Sequence, residues 1–96
     1  MTLENLFEKD YRAKIDYSLR WVDWLAGDQI TGSSFQVAAG NPDANLIIIT
    51  TTFTTGTTTV WFASGTINHT YRFDNFIGTL GGREDNRSIL IEVKDR

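Results

Sequence analysis

The segment TYRFDNFIGTLGGREDNRSILIEV, residues 70–93, decides the fold. Tyr71, Phe73, Asn75 and Ile77 fall on one parity, and Arg72, Asp74 and Phe76 on the other. That period of two marks a half-buried strand over Thr70–Thr79. Gly81-Gly82 supplies a hairpin turn with residues 83–86 as its exit, and residues 88–94 return as a second strand through Ile89, Leu90 and Ile91. Tyr71 stands at the start of the first strand, just after a turn. In immunoglobulin-like sandwiches a tyrosine at that place pins the corner by bonding its hydroxyl to upstream backbone. A buried phenol needs an acceptor, and the preceding turn offers carbonyls. Tyr71 is therefore the expected structural corner.

Outward from this pair, charge falls into three blocks. Residues 1–28 hold ten charged side chains, residues 29–71 hold Asp43 alone, and residues 72–96 hold ten more. A long uncharged middle rich in Thr, Ile, Val, Phe and Trp reads as strands, since β-branched and aromatic side chains fit a pleated surface. Soluble helices instead carry a charged outer stripe. Strands are expected over residues 17–21, 28–37, 46–53 and 57–63, with a bulge near Gly32-Ser33-Ser34 and dense turn chemistry over residues 39–44. The expected fold is all-β: an immunoglobulin-like β-sandwich of about seven antiparallel strands over residues 17–96, with an N-terminal arm over residues 1–16. Leu3, Phe7 and Tyr11 recur at i, i+4 and i+8 with Leu6 beside them, so the arm can take a helical turn, although so short a helix is costly to nucleate alone. Protease should trim this arm up to about Ile15.

Ninety-six residues make one domain. A net charge of −3 and the absence of any basic run argue against nucleic acid as a partner. The first ten residues lack an apolar secretion core, and the longest apolar run is residues 46–49, so no membrane partner is expected. With no cysteine and a single histidine, His69, a metal site would have to be built mostly from carboxylates. Glu84-Asp85 beside Arg83 and Arg87 reads as a solvated hairpin exit. No Gly-x-Ser-x-Gly elbow and no glycine-rich phosphate loop occurs. No catalytic residue, metal ligand or cofactor is expected, and the chain reads as a non-enzyme.

The remaining candidates are contact residues. Residues 50–59 contain eight threonines, read as a polar outer hairpin that could also join a neighbour by its edge. Phe76 is a large apolar group at an outward parity. Trp24 and Leu25 lie past a strand end, either capping the core or at an interface, where aromatics carry much of the binding energy. With the arm residues Leu6, Phe7 and Tyr11, they form the candidate interface. A carbohydrate-binding or adhesion module using Trp61 and Trp24 as stacking platforms is the rival reading, and a glycan ligand is not favoured.

The order of residues also resembles a known group. Lys9-Asp10, Asp16-Tyr17, Trp21, Trp24-Leu25, Gly27-Asp28 and Ile30 come first. Val60-Trp61, Gly65-Thr66, Tyr71, Phe73, Asn75, Ile77, Thr79, Gly82-Arg83, Asp85 and Arg87-Ser88-Ile89 follow. This order is similar to small tailed-bacteriophage virion proteins of the fiber-tail adaptor or head–tail region type. Tyr11 stands where that family usually has proline. The resemblance implies an immunoglobulin-like virion component, made in the bacterial cytoplasm and present in the virion as a symmetric homo-oligomer among other virion proteins. It implies neither catalysis nor a cofactor.

Overall fold

The computed structural model describes residues 5–95. Two sheets face one another. Strands β1 (Asn5–Asp10), β7 (Glu84–Lys94), β6 (Thr70–Thr79) and β3 (Ile30–Val37) form one, in that order. Strands β2 (Ile15–Arg20), β5 (Thr57–Ser64) and β4 (Leu46–Phe53) form the other, and a single turn of helix, α1 (Val22–Leu25), links β2 to β3. This β-sandwich has the strand order of immunoglobulin-like domains, with the first strand moved beside the last.

The two-residue alternation of β6 places Tyr71, Phe73, Asn75, Ile77 and Thr79 inside. They face Val60 and Phe62 of β5 and Leu19 of β2, all buried. Phe62 and Phe73 touch across the sheets at 4.7 Å between ring centroids. Burial of each such side chain contributes on the order of 2 kcal/mol. Trp21, fully buried just before α1, donates its indole N–H to Asn75 Oδ1 at 3.1 Å and to Thr58 Oγ1 at 3.3 Å. Thr58 in turn donates to Asn75 Oδ1 at 2.6 Å, and the Asn75 amide donates to Ser33 Oγ and the Ser34 carbonyl. A polar knot thus crosses the core with its members paired, as a buried network requires. Thr58, one of the threonines read as an outer hairpin, belongs to it.

Several expectations need correction. From Asn5 onward the arm is a sheet strand. Residues 5–10 pair in parallel with residues 89–94, so the ladders are not all antiparallel. Lys9 and Phe7 turn inward while Leu6 and Glu8 turn outward, which replaces the helical turn; Leu3 lies outside the described residues. The ladder partner that an isolated helix of this length lacks is supplied by β7. The arm boundary at residue 16 falls inside β2. The β6–β7 turn is tighter than expected, and β7 begins at Glu84: Thr79 N–H donates to the Arg83 carbonyl, with Gly82 at φ 86° closing the turn. Helix α1 escaped detection because four residues carry no periodicity to read. The bulge expected in β3 appears as a register shift between Ile30 and Gly32.

Candidate interaction surfaces

Two carboxylates organise opposite ends of the sandwich. In the β3–β4 loop, Asp43 Oδ1 accepts from the Tyr71 hydroxyl at 2.7 Å and the Asn45 N–H at 2.9 Å. Its Oδ2 accepts from Thr66 Oγ1 at 2.9 Å and His69 Nδ1 at 3.1 Å. These donors, the Tyr71 hydroxyl first, hold the Asp43 pKa down at about 2 against the opposing effect of burial. The buried Tyr71 hydroxyl also accepts the Thr66 N–H at 2.9 Å, so the corner is closed by a carboxylate and an amide where carbonyls were expected. His69 and Asp43 have the outline of a catalytic dyad. The nearby Thr66 hydroxyl donates to the carboxylate instead of to the imidazole, so it is not set up as a nucleophile. This geometry is a lock.

At the other end, Asp28 accepts from Gln29 N–H at 2.8 Å, Gly81 N–H at 3.0 Å and Arg83 Nε at 3.1 Å. The Thr79 hydroxyl is the largest cause of its pKa falling to about 2, followed by Gln29. Arg83 caps α1 by donating to the Leu25 carbonyl at 2.6 Å, and its guanidinium lies 4.3 Å from the Trp24 ring centroid. Cations favour a helix C-terminus for this reason.

The six candidate contact residues do not converge. Leu25 is corrected outright: it is buried in the core, since α1 turns its inner face under the sandwich. Trp24 is half-buried, edge-on to Trp21 at 5.6 Å and covered by Arg83, so its face is no open platform. Phe7 turns inward and stacks on Tyr17 at 4.6 Å, while half-buried Tyr11 donates its N–H to the Lys94 carbonyl. Leu6 and Phe76 are exposed on the outer face of one sheet but stand on β1 and β6, with β7 between them. Phe76 borders a shallow depression with Glu84, Asp85 and Asn86.

A larger apolar surface lies elsewhere. On the outer face of the three-stranded sheet, Trp61 of central β5 is 36% exposed, and Ile47 of β4, 53% exposed, sits opposite Ala63 beside it. The next residue out is Ile49, which the β4–β5 ladder skips between Ile48 and Thr50 and which is 45% exposed. Phe53 ends the strand half-exposed. Neither β3 nor β4, the edges of the two sheets on this side, has a single charged residue. The sequence contained the signal in its uncharged middle block. Which of those strands would be an edge was not legible.

The described residues thus form a two-sheet β-module with a charge-free flank, and no group of three or more His, Cys, Asp or Glu side chains among them is placed to hold a metal ion. The model of the podophage GP4 fiber-tail adaptor protein gp77 family matches residues 9–92, which is most of the chain, and the protein belongs to that family. It is therefore a structural component of the phage virion, one that meets other tail proteins. No curated protein matches the chain.

Proposed function

We propose that the chain is a non-enzymatic adaptor that joins tail and fiber proteins by surface contact and is present in several symmetric copies. The observation that carries this reading is the charge-free flank formed by β3 and β4, with Ile47, Ile49 and Phe53 exposed along it. Natural sheet proteins place charges on edges to block pairing, so a bare edge is a surface intended for cover. Leu6 and Phe76, on the outer face of the four-stranded sheet, are the second set of contacts proposed. Virions lacking the protein should lose their fibers while keeping an intact head. Fibers retained at wild-type number would sink the reading.

Exposure of Trp61 on central β5, opposite Thr50, favours one other function, a glycan-binding module. Glycan-array binding abolished by Trp61→Ala would support that reading; no binding on the array would remove it.

A further inference from the structure

We infer that β4 is a self-pairing edge: β4 of one copy lies antiparallel to β4 of a second copy, joining two three-stranded sheets into one of six strands. This rests on the adaptor reading only for the presence of several copies in one place. As the outer strand of its sheet, β4 pairs with β5 on one side alone, leaving backbone donors and acceptors along its other side available. The bulge at Ile49 divides that edge, so the regular run open to a partner is Thr50, Thr51, Thr52 and Phe53.

Charge selects the occupant. A strand laid on β4 meets an uncharged edge, with exposed Ile47, Ile49 and Phe53 along it and no side chain there to pair a charge of its own. Among the described strands β3, β4 and β5 are themselves uncharged; β5 is internal, and β4 is the edge whose own exposed residues are largest and most apolar. Each copy carries a net charge of −3, with twenty of its twenty-one charged side chains in residues 1–28 and 72–96. Meeting along β4 keeps those blocks away from the joint. Asp43, the remaining charge, is held by four donors, Asn45 of its own loop with Thr66, His69 and Tyr71. Antiparallel pairing about a two-fold axis also places threonine beside threonine, a favourable cross-strand pair, and an isologous contact closes on itself.

The chain contains no cysteine, so single-cysteine variants report the contact directly. Thr50→Cys, Thr51→Cys and Thr52→Cys should form disulfide-linked dimers under mild oxidation, with one maximum among the three. Arg20→Cys, on the far edge strand β2, should cross-link at least about tenfold more slowly, because its sulfurs cannot approach within bonding geometry. Sedimentation of the unmodified chain should show the 10.9 kDa species moving towards twice that mass as concentration rises. Ile49→Lys should raise the dissociation constant at least about tenfold while leaving the circular dichroism of the strands intact. Equal cross-linking at positions 20 and 50–52, or a monomer at every concentration, overturns the pairing. So does Thr50→Cys cross-linking inside virions to a different protein only. A chain that stays monomeric yet is needed for fibers leaves the adaptor reading standing. A chain that dimerises but is absent from virions removes the adaptor reading alone.

Discussion

The two flanks of the sandwich are built on opposite rules. On one, β1 and β2 carry Glu8, Lys9, Asp10, Asp16 and Arg20, and the strands are sewn together across the sheets. Tyr17 donates its hydroxyl to the Glu8 carbonyl at 2.6 Å and stacks on Phe7. Buried Lys9 donates to the Ser64 carbonyl at 2.7 Å and to its neighbour's, Asp10, at 2.9 Å. On the other flank β3 and β4 have no charge and leave Val37, Ile47, Ile49 and Phe53 in solvent. A charged flank closes a sheet within one molecule; a bare one stays available to another. On the proposed reading, this difference marks the adaptor's contacts better than any single residue does.

Breaking the closed flank should give the largest change. Lys9→Ala removes a side chain that is 1% exposed, opens a cavity and strands the Ser64 carbonyl, so unfolding in urea should show a loss of about 2–4 kcal/mol. Burial already lowers the Lys9 pKa, with Asp10 partly opposing it. Lys9→Met, which keeps the stem and discards the costly charge, should therefore lose clearly less. Equal losses for the two would mean that the ammonium, not the packing, holds β1 in place.

Tyr17→Phe is a finer cut on the same flank. It deletes one hydrogen bond to Glu8 and keeps the stack on Phe7, so a loss of about 0.5–1.5 kcal/mol is expected. Limited proteolysis gives a second readout. With β1 laid on β7, cleavage within residues 5–10 should be slow in the wild type and faster in Lys9→Ala.

Acid acts on the two ends of the sandwich, where Asp28 and Asp43 sit, and finds no carboxylate to titrate within β3 and β4. Asp28 and Asp43 have folded-state pKa values of about 2 against an ordinary 3.8. A lowered carboxyl pKa stabilises the fold above the ordinary value, and that contribution disappears as pH falls from about 4 towards 2. Thermal melts between pH 5 and 2 should show this decline. Asp43→Asn should flatten part of it, and Asp28→Asn another part. Identical acid limbs in all three proteins would show that neither lock titrates as the hydrogen bonds imply.

Much of the fold was legible because its main signals are local. The alternation of residues 70–79 fixed which side chains of β6 face inward, down to the polar Asn75, and the uncharged block marked β3, β4 and β5 as strands. What could not be read depends on distant partners. Residues 5–10 became a strand because the last strand offered them a parallel ladder 84 residues away. Helix α1 is held by Arg83, from the far end of the chain, and this is also why Leu25 turns inward and Trp24 is covered. The candidate contacts suffered for the same reason. Phe76 can be placed outside by parity, but edge status is a property of sheet order, and no local pattern in residues 46–53 announces it.

The smallest effect expected on folding is also the sharpest test of the bare flank. Ile47→Ser, on an exposed edge position, should alter monomer stability by no more than about 0.5 kcal/mol in urea at micromolar concentration. If the residue is kept apolar for the sake of a partner, the same substitution should weaken association while leaving folding alone, and the two measurements will diverge. A loss of 2 kcal/mol or more in the monomer would instead make Ile47 part of the fold's own support. The flank would then be an unguarded piece of core, and the contrast with the closed side would lose its functional meaning.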